Sequence, residues 1–198
     1  MKISIILVGG GGHCRSCIDV IEATDFYKIS GILDVQERVG EMLLGYPIIG
    51  TDMDMERLAD EGHLFLITLG QVGTSEGRKR LYARLQKLNA GLATVISPRA
   101  YVSVHASVEE GSIVMHDAVV NASARIGRNC IINTRALVEH DAEVADHCHL
   151  ATGAIVNGGA RVETGSFIGS NAVVRENALT GAGAFVKAGS VCKGVSRG

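Results

Sequence analysis

The chain has 198 residues, 46% of them apolar, and a formal charge of −2. That is enough apolar material for one large domain or two small ones, and it gives no electrostatic case for nucleic acid or an anionic membrane as the main partner. With no Trp and 4% aromatic residues, platforms for stacking bases are also disfavoured.

Residues 3–8 (Ile-Ser-Ile-Ile-Leu-Val) read as a buried parallel strand. The run is too short for a membrane span, and glycines follow it in place of a cleavage site, so a cytoplasmic protein is expected. Gly9, Gly10, Gly11, Gly12 and His13 come next, with a helix expected over Ser16–Thr24. Strand, Gly-rich turn and helix is the layout that aims backbone N–H groups at a phosphate or nucleotide. A second strand, Ile29–Leu33, ends at Asp34, whose distance from the turn suits a bond to a ribose hydroxyl. Residues 46–50 read as a loop or short edge strand, and Asp52–Asp60 as a short helix capped by Thr51 or Asp52. Leu64–Leu69 is a third strand, followed by Gly70. Ser75–Leu88 is an amphipathic helix with an exposed basic face of Arg78, Lys79, Arg80, Arg84 and Lys87. Thr94–Ile96 reads as the fourth strand of this α/β unit.

From Ile96 onward every sixth residue is a branched aliphatic as far as Val174, and two positions before each sits Ala, Ser, Thr or Cys. The two residues point the same way, as alternate residues on a strand do. One such unit cannot bury its apolar face alone, whereas stacked units form coils of a parallel β-helix. Three six-residue faces per coil put residues eighteen apart on top of one another. Gly127, Gly169, Asn121, Asn133 and Asn157 are expected at corners that need positive φ. Cys130 and Cys148 occupy the small position and are expected as packed thiols, and Cys14 and Cys17 as small helix residues.

The repeat resembles the hexapeptide repeat of the left-handed β-helix acyltransferases. Together with the Gly-rich turn and His13, the whole chain is similar to the bacterial nucleotide-sugar N-acetyltransferases and sialic acid O-acetyltransferases. The resemblance implies a Rossmann-like, parallel-sheet α/β domain over residues 1–95 that binds a nucleotide-sugar. It implies a left-handed parallel β-helix over residues 96–198 that binds acetyl-CoA. It further implies a homotrimer with active sites between subunits, and acetyl transfer to a sugar amine, with a sugar hydroxyl as the alternative acceptor. A non-catalytic β-helix scaffold that binds a sugar nucleotide is the alternative of another class.

His140, followed by Asp141, suits a general base whose tautomer is fixed by a neighbouring carboxylate. The resemblance places the catalytic base at His140 and its partner at Asp141. It places an oxyanion-holding backbone N–H at Gly158, and His149 and Asn133 near the acetyl-CoA thioester. Gly10, Gly11, Gly12, His13, Asp34 and Gly70 match positions lining the nucleotide-sugar pocket. His147 and His149 form an H-x-H pair, but spacing fixes no third ligand, so no metal is expected. The family's C-terminal G-x-P-A-K/R stretch is replaced here by Gly194-Val195-Ser196-Arg197-Gly198.

Overall fold

A computed structural model describes residues 2–194, so most of the departing C-terminal stretch lies outside the described residues. The chain divides into two compact units. One comprises residues 1–70 and 76–95, the other residues 71–75 and 96–198.

The first unit is built on β1 (Ile3–Val8), β2 (Tyr27–Leu33), β3 (Met42–Leu43), β4 (Tyr46–Gly50) and β5 (Leu64–Ile67), in the sheet order β3-β4-β2-β1-β5. All neighbours pair in parallel except the antiparallel β3–β4 hairpin. Three helices complete the unit: α1 (Gly12–Thr24), α2 (Met55–Asp60) and α3 (Glu76–Lys87). The core joins Ile6, Val8, Leu33, Phe65 and Ile67 of the strands to Met55, Leu58, Leu81 and Leu85 of the helices. Thr51 caps a short 3₁₀ turn ahead of α2 in a reciprocal box, donating its N–H to Asp54 and accepting from Met53 N–H.

Four expectations for this unit change. Helix α1 starts at Gly12 rather than Ser16, so His13 sits in its first turn. Residues 46–50 are a sheet strand, because the hairpin with Met42–Leu43 covers its outer edge. The strand Val95–Ile96, which spans the boundary between the two units, belongs to a sheet of the β-helix instead of closing this one. Arg78 is not on a solvated basic face: it is 1% exposed and donates to the carbonyls of Ile67 (2.7 Å) and Leu69 (2.9 Å). The β5 strand runs out there, and its last carbonyls need a buried donor.

The second unit is the left-handed parallel β-helix, with two-residue strands stacked into three sheets of six, four and six strands. Register is eighteen residues throughout, as in Val120 on Val138, Val138 on Val156 and Val156 on Val174. The aliphatic and small positions fill the interior together, and Ala124, Cys130, Ala136, Ala142, Cys148 and Ala154 are all fully buried. Cys130 and Cys148 donate to backbone carbonyls as packed thiols. Ile96, the first aliphatic of the series, is 39% exposed because it belongs to the first coil of the stack.

The corners differ from expectation. From Val108 to Val174, positive φ falls three residues after each aliphatic, at Gly111, Asp117, Ser123, Asn129, Arg135, Asp141, His147, Gly153, Gly159, Gly165, Asn171 and Asn177. Asn121, Asn133, Asn157, Gly127 and Gly169 lie one residue after the aliphatic and have ordinary φ. Glycine at position 127 serves close stacking instead, since a Cβ there would lie 2.5 Å from Asp146 Oδ1 of the next coil.

Candidate active site

In the first unit the strands' carboxyl ends open onto a cavity of about 420 Å³. Its walls come from the segments that follow each strand: Gly9 after β1, Asp34 to Glu37 after β2, Thr51 to Met53 after β4, and Leu69 after β5, with Arg80 and Leu81 of α3. This is where parallel α/β sheets hold ligands. Asp34 lines the cavity, but both its oxygens already hold protein donors. Oδ2 accepts from Gly10 N–H (2.9 Å) and from Arg38 Nη1 (2.6 Å), and Oδ1 accepts from Val35 N–H (2.8 Å). Arg38 also donates to the Gly10 carbonyl (3.0 Å). Gly10 is required by that bracing, since a Cβ would lie 2.6 Å from Asp34 Oδ2.

Gly11 is the N-cap of α1 and Gly12 its first residue, and a Cβ on either would meet nothing within 4 Å. The first-turn N–H groups are therefore presented by residues without bulk, as an anion site needs. His13 packs its Cβ against Gly70, 3.4 Å from where a side chain there would begin. Of the six expected substrate residues the structure thus pairs Gly10 with Asp34 and His13 with Gly70. Only Asp34 is in the cavity wall.

In the second unit, His140 and Asp141 form one corner of the coil between the strands Leu137–Val138 and Glu143–Val144. Asp141 adopts a left-handed φ of 60°. That turn sets its carboxylate beside the preceding side chain, and Asp141 Oδ2 lies 2.9 Å from His140 Nδ1. The pair is exposed, at 67% and 65% of the side chain. The Asp141 carboxylate raises the His140 pKa above its ordinary value, with Asp141 and Glu139 charges adding to the shift and desolvation opposing it. The opposite edge of the ring lies over Gly158, one coil on. A Cβ at that position would be 2.8 Å from Cε1 and 2.9 Å from Nε2. Glu139 braces the corner by accepting from Asn121 Nδ2 (2.9 Å) and from His140 N–H (3.3 Å). Asn121 and Glu139, eighteen residues apart, are thus joined by a hydrogen bond between successive coils. Around the ring is an open cleft of about 550 Å³ lined by Glu139, His140, Asp141, Asn157, Gly158, Gly159, Glu176 and Asn177.

His149 and Asn133 form a separate group, on the sheet that contains Ile131–Ile132 and Phe167–Ile168. His149 is 6% exposed. Its Nδ1 lies 2.6 Å from the Gln71 carbonyl and its Nε2 lies 3.2 Å from Asn133 Nδ2. Its ring meets Phe167 edge-on, and Phe167 stacks on Phe185. His147 turns away to Asn129 (2.9 Å), so the H-x-H pair does not converge. Among the described residues no group of three His, Cys, Asp or Glu side chains is arranged to hold a metal.

Comparison with known proteins gives the arrangement its context. Residues 4–85 match the PglD N-terminal domain family. The crystal structure of PerB from Caulobacter crescentus, in complex with CoA and GDP-perosamine, is 30% identical, with 96% of this chain and 89% of that one covered at a TM-score of 0.88. The chain belongs to the nucleotide-sugar acetyltransferase family. Another member, the acetyltransferase domain of PglB from Neisseria gonorrhoeae in complex with acetyl coenzyme A, is 29% identical over 98% of this chain and 92% of that one, with a TM-score of 0.88. UDP-N-acetylbacillosamine N-acetyltransferase from Bacillus subtilis is 36% identical over 116 residues. That match takes in 57% of this chain and spans about half, 51%, of the curated relative's length.

Within this family fold, sequence reasoning passed over Arg38, Gln71, Glu176 and Asn177. Glu176 and Asn177 were within reach of it, because they lie eighteen residues beyond Gly158 and Gly159 and so line the same corner. Arg38 and Gln71 carry no periodic signal.

Proposed function

We propose that the chain transfers the acetyl group of acetyl-CoA to the amine, in our reading the 4-amine, of a nucleotide-activated amino sugar. The carrying observation is the His140–Asp141 pair lying over Gly158 in an open cleft. His140 Nδ1 donates to Asp141, which leaves Nε2 as the basic nitrogen on the side of the ring next to Gly158. Nε2 takes a proton from the amine as its lone pair attacks the thioester carbonyl carbon. The C=O becomes an oxyanion, held by the Gly158 N–H. The oxyanion then re-forms the carbonyl and expels the CoA thiolate, which takes the proton from His140. The resident groups suffice for this sequence, so no metal is assigned a role.

The relatives support this reading, because their names join acetyl transfer, CoA and amino-sugar nucleotides in proteins of this shape. The first unit supplies a ligand cavity at the carboxyl ends of its strands, and we assign the nucleotide-sugar to that unit, residues 1–95, and acetyl-CoA to the β-helix from residue 96. The five cysteines are free thiols, which supports a reducing, cytoplasmic setting. No helix among the described residues is long and apolar enough to cross a membrane.

The working form in this reading is a homotrimer. One outer face of the β-helix carries an apolar ladder of Tyr101, Val119, Leu137, Ile155, Val173 and Val191, with Tyr101 60% and Val191 57% exposed. The next face carries charges instead, with Arg125 and Arg161 paired to Glu143. His140 lies at the corner between the two, and a second copy packed on the apolar face would wall the cleft. Replacing His140 by Ala should lower turnover about 10²–10⁴-fold while sugar-nucleotide affinity stays near wild type. A thioester-cleavage assay with acetyl-CoA and a panel of UDP- and GDP-linked amino sugars and their hydroxyl analogues measures this. Unchanged turnover in the variant removes His140 from the role, and inactivity of the wild type across the panel removes the reaction.

A further inference from the structure

His149 sits between two groups that leave it one protonation state. Nδ1 faces the Gln71 carbonyl at 2.6 Å, and a carbonyl only accepts, so Nδ1 carries the proton. Nε2 faces Asn133 Nδ2 at 3.2 Å. The Asn133 amide is oriented independently, because its Oδ1 accepts from Thr134 N–H (2.8 Å), so the atom turned to His149 is the NH₂ donor. Nε2 therefore accepts. Both ring nitrogens are committed, and the ring is neutral in its Nδ1–H form.

This makes His149 a poor proton shuttle and moves the exposed end of the relay to Asn133. That side chain is half-buried and has a second amide hydrogen that the His149 contact does not use. Everything upstream depends on where the Gln71 carbonyl is held. Gln71 is 1% exposed, and its Nε2 approaches the carbonyls of Ser166 (3.4 Å) and Gly165 (3.5 Å), which fastens the 71–75 segment to the β-helix. Its Oε1 is buried with no hydrogen-bond partner among the described residues. An apolar side chain would avoid that unsatisfied acceptor, so the amide is kept at a cost in stability.

We infer that Gln71 is a positioning residue: it anchors its own carbonyl against the β-helix, and through it fixes the tautomer of His149 and the direction in which Asn133 offers its remaining N–H to a carbonyl of the acyl donor. The last part rests on the acetyl-transfer reading above, whereas the tautomer does not. Nitrogen-15 correlation spectra of the imidazole rings, recorded on the full chain without ligand, report which His149 nitrogen carries the proton. In the wild type this should be Nδ1 alone. Gln71→Ala and Gln71→Met should both give a mixture of tautomers. Both should lower kcat/KM for acetyl-CoA by about tenfold to 10²-fold, as expected for a small misplacement, with sugar-nucleotide affinity held.

The Met variant fills the space without a donor, so recovery of the wild-type tautomer and kcat/KM in Gln71→Met would reduce Gln71 to a packing role and overturn the inference. A wild-type His149 protonated at Nε2 would overturn it as well. Should the Gln71 variants not fold, Asn133→Asp turns the donor facing Nε2 into an acceptor. It should bring a proton onto Nε2, and an unaltered ring would sink the relay. An inactive wild type with the expected tautomer would fault the reaction instead.

Discussion

His140 and Asp141 are adjacent in sequence, and a left-handed corner is what lets adjacent side chains meet. The contact has a consequence in pH. The carboxylate holds the His140 pKa above its ordinary value, so the neutral, basic ring is gained only as pH rises through that higher value. In Asp141→Asn the cause is removed. The acid limb of kcat/KM should then move to lower pH, while the plateau falls because the tautomer is no longer held. A pH–rate profile with saturating sugar nucleotide checks both effects, and an acid limb that stays in place would separate Asp141 from the base. Gly158 offers a second test. A Cβ there would sit 2.8 Å from His140 Cε1, so Gly158→Ala should displace the ring and cost about 10²-fold in turnover. The thermal midpoint should stay near wild type, because this glycine has ordinary φ. The family resemblance placed both residues in the sequence, and their spacing of eighteen agreed with it. The sequence did not show that Asp34 spends its oxygens on Gly10, Val35 and Arg38, because that depends on where residue 38 returns.

Among the elements, helix α3 best shows how a pattern can be read too coarsely. Its charges look like one solvated stripe, yet Arg78, Leu81, Tyr82 and Leu85 follow the spacing of a buried helical face. The position was therefore legible from periodicity, and the identity of the residue misled. Its reason lies in β5, whose end leaves the Ile67 and Leu69 carbonyls in need of a donor. Arg78→Met should destabilise the fold by about 1–3 kcal/mol for each carbonyl left bare, measured as a lowered midpoint in chemical denaturation. A variant as stable as wild type would mean that those carbonyls find other partners. The corners of the β-helix teach a related lesson. Asn and Gly residues signal turns, but the left-handed residue is fixed by phase, so Ser123 and Arg135 adopt it despite lower intrinsic preference.

At the scale of the whole molecule, the outer faces of the β-helix are unequal, one apolar and one laced with ion pairs. An apolar ladder that long is expensive to leave in water and suits a symmetric copy of itself as neighbour. Sedimentation of the wild type should give three chain masses. Ile155→Glu places a charge in the middle of the ladder and should shift the protein to the monomer with its β-sheet circular dichroism intact. It should also lose turnover, because the cleft at His140 loses a wall. A variant that is monomeric and fully active would refute the assignment of sites between subunits.

By itself the sequence determined a stacked parallel β-helix, because an unbroken six-residue period buries its aliphatics only when its units stack; the roles of His140 and Gly158 came from the family resemblance, with which their eighteen-residue spacing agrees. The sequence also determined a parallel α/β unit before the repeat, from strand lengths and the Gly-rich turn. Only the tertiary structure decided what depends on distant segments returning to one place. Val95–Ile96 joins the β-helix, since pairing is settled by which edge is open. Arg78 goes inside because two carbonyls need it. The Gln71 carbonyl reaches His149 across a sequence separation of 78 residues, a contact that no local period encodes.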